Sequence, residues 1–523
     1  MGTTTSLRAR RSAAQLHALA GVEREIRSYD PNNNRKYLKD YSEAFVSYQS
    51  VIDSDQFKAQ IKNAEILLIG DYHALPASQR FTASIIEQLA LEGRPVVLGL
   101  ETIFARDQHI VNEWWRREID EAELRERIRF DLDWGYDWEP FYGLLVCARE
   151  HAEGIYGLDC MPREDLRKIG ARDRHAIHKI SEIRQRHPRA AIVVAFGESH
   201  FAPGHIPRLL REQLPEQKVL TILQNVDTLY WQAAGENKSQ VSAVQVSEDV
   251  VCVFNSTPLE KYENYRLHLS RWGRTDEEGP DPGPTIYNLI DSLTRFLAIN
   301  RYSSHNGTQP KFLVDLMPEV YGRSTAGRLS RQLLRHGLTE GELNFLLQTV
   351  EERGSIYLPQ VNALYVHDFQ MMYAAEEAAR FLHHACRGLP MLEVGREPSL
   401  SDQFYARTLE QALGYLGSRV LYPARPVTEA NSFELSHVIC EKYADQAAHV
   451  DDVKRQVISQ RLGYAIGNAV YESYLVGNLN KVALRDLFLC HLVEPGSARD
   501  ICHALADEVR VKRKKARTAT AGM

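Results

Sequence analysis

The sequence lacks the features of a membrane-spanning, disulfide-stabilised or polyanion-binding protein. No apolar run approaches the ~20 residues that cross a bilayer. The seven cysteines are odd in number, scattered and without a CxxC pair, which argues against a disulfide framework or a zinc knuckle. The net charge is only −6, so no overall field attracts nucleic acid or anionic lipid. The N-terminus has no apolar segment typical of an export signal, and we expect a cytoplasmic protein without a nucleic-acid partner.

The composition is typical of a globular chain with more than one domain. Hydrophobic residues make up 44% and charged residues 25% of the sequence. A chain of 523 residues is too long for one ordinary core. A stretch rich in glycine, proline and acid predicts a linker in the middle of the chain. The expected segments are a helical lead-in over 1–60, an α/β domain over 61–265, a linker over 266–285, an all-α domain over 286–510 and a basic tail over 511–523.

Short apolar runs rich in β-branched residues predict strands that are buried on both faces of a parallel sheet. The predicted strands are AEILLIG, RPVVLGLE, GIYGLD, RAAIVVAFG, KVLTILQNV and DVVCVFN. The segments between them carry apolar residues at the three- and four-residue spacing of helices. The predicted fold class is therefore α/β, with an open, mainly parallel sheet, helices on both faces and an all-α C-terminal domain.

The same short pattern follows two of the predicted strands. ILLIG leads into Gly70-Asp71-Tyr72-His73, and IVVAFG leads into Gly197-Glu198-Ser199-His200. Because the carboxyl ends of parallel strands meet at one edge of a sheet, we expect His73 and His200 to lie close together there. The glycine in each motif is expected to permit a sharp backbone turn. His205 follows soon after and is a candidate for an accessory role.

Acidic residues end two further strands at the same predicted edge. VVLGLE ends in Glu101 and IYGLD ends in Asp159. A carboxylate at the end of a buried strand is costly unless it is paired or bound to an ion. Two imidazoles with carboxylates suit zinc, iron, manganese or cobalt, and we expect a divalent transition metal or haem as cofactor. The candidate metal ligands are His73, Glu101, His200, Asp71 and Glu198.

The pattern permits two chemistries and one purely structural alternative. In a hydrolytic site, His73 and His200 hold an ion or position a water while Glu101 acts as general base. In a haem site, His73, His200 or the neighbouring Tyr72 binds the iron. In the structural alternative, the histidines cap helices, Glu101 pairs with an arginine such as Arg106, and nothing is bound.

A long insertion between the second and third predicted strands is crowded with aromatic residues. These are Trp134, Tyr136, Trp138, Phe141 and Tyr142. The insertion either caps the edge of the sheet or packs a subdomain of its own, because aromatic side chains are common filler at such joints.

The predicted all-α domain also contains histidines and acids. They are His367, His383, His384, Glu376 and Glu377. Iron carboxylate bundles require Glu-x-x-His motifs on facing helices, and no such pair is present. We therefore expect core or solvated polar residues at these positions.

The motifs at the sheet edge carry a resemblance to a known family. They are GDYHALPASQ, VVLGLETIFARDQ, WEPFYGLLVCAREH, GIYGLDCMPREDLRK and FGESHFAPGHIPRLL, in the family's order and approximate spacing. Over residues 60–265 the chain resembles the ChaN-like haem-binding uptake family, within the Tiki, TraB and erythromycin-esterase-like superfamily. The resemblance implies an α/β domain whose site is formed by His73, Glu101 and His200. ChaN-like proteins are associated with haem binding and iron acquisition, whereas the Tiki-like and erythromycin-esterase-like relatives are metal-dependent proteases or hydrolases.

The chain also departs from the ChaN-like pattern. It has no lipoprotein signal, it has Ala77 and Ser78 where the family commonly carries a further histidine, and it adds a long helical domain. We expect a haem- or iron-binding protein. The alternatives are a metal-dependent esterase or peptidase and a non-enzymatic interaction protein. The expected ligands are haem or a small-molecule or peptide substrate, and a homodimer remains an option.

Overall fold

Contacts divide the chain into two units. The computed structural model describes residues 2–29, 36–160, 169–237, 240–271, 280–300, 313–387, 399–428, 433–490, 492 and 494–520. One unit spans Glu25–His268 and is called the α/β unit below. The other combines Met1–Arg24 with Leu269–Met523 and is called the helical unit.

Eight strands and twelve helices are described in the first 271 residues. The strands are β1 Ser50–Ile52, β2 Ile66–Asp71, β3 Val96–Phe104, β4 Ile155–Asp159, β5 Ala191–Gly197, β6 Val219–Gln224, β7 Ala243–Ser247 and β8 Val250–Val253. The helices are α1 Gly2–Tyr29, α2 Lys36–Ala44, α3 Ser54–Asn63, α4 Pro76–Leu91, α5 Gln108–Trp115, α6 Glu121–Arg127, α7 Phe130–Asp133, α8 Trp138–His151, α9 Ile169–Arg186, α10 Ile206–Gln213, α11 Asp227–Ala233 and α12 Pro258–Arg271.

The eight strands form one sheet in the order β1-β7-β8-β6-β2-β5-β3-β4. The six strands from β8 to β4 in this order are parallel, which confirms the predicted α/β fold class. β7 pairs antiparallel with both β8 and β1 at one side of the sheet. The long helices connect successive parallel strands, as right-handed crossovers require.

The central strands are buried because each of them is covered on both faces. Every residue of β2 and of β3 is buried. Leu67 and Leu98 contribute to the core on one face, whereas Leu68 and Val97 contribute to the core on the other. This burial explains why these strands are nearly continuous apolar runs instead of alternating apolar and polar residues.

The helical unit is built mainly from α-helices, and it contains a small sheet that the periodicity did not predict. Its further helices are α13 Gly283–Phe296, α14 Ala326–Arg335, α15 Glu340–Arg353, α16 Met371–Arg387, α17 Leu400–Leu421, α18 His437–Ala448, α19 Asp452–Leu475, α20 Lys481–Phe488 and α21 Ser497–Thr520. The strands β9 Glu319–Tyr321, β10 Ser355–Leu358 and β11 Ala363–Val366 pair in the order β10-β11-β9. Within the described parts of the chain, no helix is long and apolar enough to span a bilayer.

Candidate functional site

The predicted site residues lie at the carboxyl edge of the parallel sheet. β2 ends at Asp71, directly beside Gly197 at the end of β5 in the parallel register. Glu101 lies within β3, on the other side of β5. His200 follows β5 in a short 3₁₀ turn over Glu198–Phe201. The order β2-β5-β3 therefore places residues from three strands at one edge.

His73 lies between two carboxylates. Its Nδ1 is 2.9 Å from Oδ2 of Asp71, and its Nε2 is 3.4 Å from Oε2 of Glu101. Burial alone lowers the pKa of a histidine, but the charges and hydrogen bonds of Asp71 and Glu101 raise the pKa of His73 to about 10. His73 is therefore an imidazolium at neutral pH.

Glu101 is a buried carboxylate that is surrounded by donors. Its Oε1 accepts a hydrogen bond of 2.5 Å from Nη2 of Arg172, and its Oε2 accepts one from the backbone N–H of Gly197. Burial raises the pKa of a carboxyl group, but His73, Arg172 and His200 together hold the pKa of Glu101 well below its usual range. Glu101 is therefore ionised despite being only 3% exposed.

Gly197 is required here for space and not for a turn. Its φ is −49°, a value that any residue adopts, so the expectation that a glycine is needed for a sharp backbone turn is wrong at this position. A Cβ on Gly197 would lie 3.0 Å from Oε2 of Glu101. The missing side chain therefore lets the Glu101 carboxylate approach the backbone.

His200 lies near the other oxygen of the same carboxylate. Its Nε2 lies 3.9 Å from Oε1 of Glu101. Its Nδ1 lies 2.5 Å from Oδ1 of Asp173, whose Oδ2 lies 2.9 Å from Nδ1 of His205. The structure thus brings His73, Glu101 and His200 together, and it places His205 behind His200.

The sequence motifs did not predict two charged residues of this site, Arg172 and Asp173. Both lie on α9, where Arg172 bonds Asp159 through Nε and Nη2 as well as Glu101. The pattern held a signal for them. The buried positions of α9 are Ile169, Arg172, Asp173, Ala176, Ile177, Ile180, Ser181 and Ile183. Adjacent opposite charges on the apolar stripe of a helix must have buried partners.

Glu198 and Tyr72 surround a buried lysine. Oε1 of Glu198 accepts a hydrogen bond of 2.9 Å from Nζ of Lys261. The same Nζ lies 4.5 Å from the centre of the Tyr72 ring. Burial raises the pKa of Tyr72 well above its usual value, so this residue remains a neutral phenol. A neutral phenol is a poor iron ligand compared with a phenolate.

Aromatic rings from the insertion surround His73. The ring centres of Trp134, Tyr136 and Phe141 lie 5.4, 5.2 and 6.1 Å from the His73 ring. All three are buried, as are the neighbouring residues of the same cluster. The insertion therefore covers the sheet edge on the His73 side, which is the capping arrangement considered from the sequence.

The charged side chains of the site form hydrogen bonds and ion pairs with one another. Glu101 pairs with Arg172, whereas Arg106, the partner considered from the sequence, lies near Asp107 and Asp133. Within the described ranges, no group of three or more His, Cys, Asp or Glu residues is arranged to hold a metal ion. The structure thus assembles the expected residues as a network of charged hydrogen bonds.

The acids of the helical unit are also internally paired. Glu376 and Glu377 on α16 are fully buried. Arg353 lies 2.6 Å from Glu376, and Arg380 lies 2.6 Å from Glu377. These contacts agree with the expectation of core polar residues and do not form an iron carboxylate site.

Two solved structures are similar to part of the chain. None of the curated proteins matches the chain. One similar solved structure, described as cofacial heme binding to ChaN of Campylobacter jejuni, has 11% identity and a TM-score of 0.26, and the match covers 33% of this chain and 86% of that chain. Another, the type III effector HopBA1, has 13% identity and a TM-score of 0.30, and the match covers 40% of this chain and 97% of that chain.

A family model matches less than half of the chain. His73 and Glu101 lie inside the matched segment, and His200 lies one residue beyond it. The resemblance seen in the motifs is thereby confirmed over residues 57–199, which match the family described as haem-binding uptake, Tiki superfamily, ChaN.

Proposed function

We propose that the α/β unit binds a small molecule at this sheet edge and hydrolyses an ester or peptide bond by acid–base catalysis. One observation carries the proposal. His73 and His200 each turn one ring nitrogen toward an aspartate and the other toward the shared Glu101 carboxylate. The aspartates fix the Nδ1 atoms, so the two Nε2 atoms beside Glu101 are the ones that would meet a reacting group.

The charges give the two imidazoles different roles. His73 is cationic at neutral pH, so it can donate a hydrogen bond or a proton to an oxygen that gains negative charge. Asp173 holds Nδ1 of His200, so Nε2 of His200 is the nitrogen that can accept a proton from an attacking water. Glu101 orients both rings and balances their charge.

The contacts of the candidate ligand residues favour acid–base catalysis over metal binding. Among the described residues, no three His, Cys, Asp or Glu side chains are arranged around a position for a metal ion. Glu101 already accepts hydrogen bonds from Arg172 and from the backbone of Gly197. The residues therefore fit one another better than they fit the divalent metal expected from the sequence.

Haem binding is the second candidate, and the family match over residues 57–199 is the observation that favours it. The aromatic rings around His73 also suit contact with a porphyrin. The present arrangement does not fit direct ligation of the iron, because Nδ1 of each ring contacts an aspartate and Nε2 of each ring faces Glu101. Haem would therefore have to be held by contacts other than these two imidazoles.

A hydrolytic screen tests the first candidate. The full-length protein is incubated with chromogenic esters and amides between about pH 6 and 9. For the ester that is cleaved, we expect Glu101→Gln and His200→Gln each to lower kcat/KM by about 10²-fold or more. His178→Gln is the matched control, because this histidine on α9 is 66% exposed. Unchanged activity in both site variants would overturn the proposal.

A haemin titration tests the second candidate. If the α/β unit binds haem, haemin added to the full-length protein shifts its Soret absorption. Because neither imidazole is placed to ligate iron, we expect His73→Ala and His200→Ala to retain that shift. A titration without any spectral change would eliminate haem as a ligand.

A further inference from the structure

We infer that the α/β unit holds a binding subsite for a primary ammonium group, formed by the side chains of Tyr41, Glu198 and Asp227. The subsite adjoins the proposed hydrolytic site, because Glu198 begins the 3₁₀ turn that carries His200. The inference rests on the proposed function only for its consequence for the substrate. That substrate is an ester or peptide with a free amino group close to the bond that is cleaved.

Each of these three side chains has a buried oxygen that lacks a hydrogen-bond partner within the described parts of the α/β unit. The atoms are Oη of Tyr41, Oε2 of Glu198 and Oδ1 of Asp227. The phenol is the clearest case, because Tyr41 is only 8% exposed. A buried polar atom that loses water without gaining a partner is costly. Three such atoms in one region therefore indicate that a ligand binds there.

The three side chains lie in the same region of the unit. α2, which carries Tyr41, packs against the 3₁₀ turn that begins at Glu198. Burial and the charges of nearby groups, Glu198 and Asp227 among them, raise the pKa of Tyr41 well above its usual value. The phenol is therefore neutral and lies close to both acids. The same two acids are charged neighbours of Lys261 on α12.

The charges of this region favour a cation as the ligand. Nζ of Lys261 lies 2.9 Å from Oε1 of Glu198, and of the residues that the structure describes, no other cation forms an ion pair with either acid. Tyr262 donates a hydrogen bond of 2.8 Å to Oδ2 of Asp227, but a hydroxyl group does not balance the charge of a carboxylate. Two carboxylates therefore share one ammonium group, and a second cation would compensate the remaining negative charge.

The number and type of the unpartnered oxygens favour a primary ammonium group over a metal ion. Such a group has three N–H donors and no acceptor, which matches three oxygens that lack donors. The described side chains also include no group of three or more His, Cys, Asp or Glu residues arranged to hold a metal ion. Glu198 and Asp227 are partly exposed, so the amino group of a bound molecule can reach them from solvent.

The subsite lies on the β6 side of the proposed hydrolytic site. Asp227 follows β6, which is the neighbour of β2 on the side away from β5. Nζ of Lys261 lies 4.5 Å from the ring centre of Tyr72, the residue before His73. A substrate amino group held here would therefore place the adjacent ester or peptide bond toward the two imidazoles.

Calorimetric titration of the full-length protein with leucinamide and with N-acetylleucinamide tests the subsite. Acetylation removes the positive charge and two of the three N–H donors and leaves the rest of the molecule unchanged. We expect leucinamide to bind at least about tenfold more tightly, because the acetyl compound loses charge-assisted hydrogen bonds. Equal affinities, or no binding of leucinamide, would overturn the inference.

Two variants assign the binding to these side chains. We expect Asp227→Asn to weaken leucinamide binding by about tenfold and Tyr41→Phe to weaken it severalfold, with N-acetylleucinamide unaffected. Asp249→Asn is the matched control and should bind as wild type does, because this acid is 41% exposed and pairs with Arg211. Wild-type affinity for leucinamide in Asp227→Asn would count against the subsite.

Tyr41→Phe also separates ligand binding from a structural role. Because the Tyr41 hydroxyl has no partner among the side chains and backbone described, its removal should leave the free energy of unfolding unchanged or slightly raised. Weaker binding with unchanged stability supports the subsite. Lower stability with unchanged binding would show that the phenol is structural, and this result decides the matter if Asp227→Asn does not fold.

The binding measurement separates this inference from the proposed function. It needs no turnover, so a failed hydrolytic screen leaves its result standing. Where hydrolysis occurs, we expect kcat/KM for leucine para-nitroanilide to exceed that for N-acetylleucine para-nitroanilide by about tenfold or more, and Asp227→Asn to remove this preference. Equal cleavage of the two compounds by the wild type would contradict the subsite without contradicting hydrolysis.

Discussion

Glu101 is a carboxylate on a strand that is buried along its whole length, and its neighbours explain why this position is tolerated. Arg172 and the backbone N–H of Gly197 donate to its two oxygens, and His73 supplies a further positive charge. Arg172 also neutralises Asp159, so one guanidinium serves two buried acids. Removing that guanidinium would leave both carboxylates without their shared cation.

Arg172→Met is therefore expected to destabilise the protein by about 3–5 kcal/mol. Chemical denaturation followed by tryptophan fluorescence measures this change. Arg174→Met is the matched control, because Arg174 lies on the exposed face of α9, and we expect it to change stability by less than about 0.5 kcal/mol. A loss below about 1 kcal/mol in Arg172→Met would contradict the assigned role.

The raised pKa of His73 predicts a pH dependence of stability with a definite sign. The pKa rises from 6.5 in the unfolded chain to about 10 in the folded one. The stabilisation from the charged ring is complete below pH 6.5 and is lost as pH rises through about 10. Because the folded state then holds one extra proton, stability falls by about 2–3 kcal/mol between pH 7 and 9.

Comparison with His73→Gln isolates this contribution. The difference in free energy of unfolding between wild type and His73→Gln should shrink as pH rises from 7 to 9. Denaturant titrations at three pH values in this range measure it. A difference that stays constant with pH would show that His73 is not charged in the folded protein.

At the scale of elements, α9 shows what the sequence could and could not predict. The helical periodicity of α9 and the six parallel strands of the sheet could be predicted from the sequence, because long apolar runs and regular spacing dominate local structure. The roles of Arg172 and Asp173 could not be predicted, since their partners Glu101 and His200 are distant in the chain. Only the position of these charges on the buried face of α9 indicated that partners exist.

Short strands were missed for a different reason. β1 has only three residues, and β7 contains the polar residues Gln245 and Ser247. Neither strand therefore forms a long apolar run. β9, β10 and β11 have three or four residues each and lie between helices. Strands of this length are specified by the partners they pair with and not by their own sequence.

Helix contacts in the helical unit yield a prediction about Gly463 on α19. A Cβ at this position would lie 2.6 Å from the backbone oxygen of Thr408 on α17. The overpacking cost of about 1–3 kcal/mol should exceed the gain in helix propensity of up to about 1 kcal/mol. We expect Gly463→Ala to lower stability by about 1–2 kcal/mol in thermal or denaturant unfolding followed by circular dichroism.

Gly341 provides the control for Gly463. It is also helical, on α15, and a Cβ there would have no neighbour within 4 Å. Gly341→Ala should therefore leave stability unchanged or slightly raised. If both alanine variants behave alike, close approach of α17 and α19 is not what Gly463 permits.

At the scale of the whole molecule, each unit has a buried core of its own and can respond to substitution separately. The six tryptophans are unevenly divided between the units. Five of them lie within Glu25–His268, and only Trp272 lies outside that range. Fluorescence therefore reports mainly on the α/β unit, whereas circular dichroism reports on the helices of both.

This division predicts different signatures for the two destabilising variants. Arg172→Met should shift the fluorescence transition to lower denaturant concentration. Gly463→Ala should shift the circular dichroism transition and leave the fluorescence transition in place. Identical shifts of both signals in both variants would mean that the two units unfold as one.

The ring of Trp134 lies 5.4 Å from the ring of His73, and this proximity has a practical consequence. A protonated imidazole quenches indole emission far more strongly than a neutral one does. The protein therefore carries an optical indicator inside its own site. Trp134 is one of five tryptophans in the α/β unit, so a ligand that enters the site and removes the proton from His73 should raise part of the total emission.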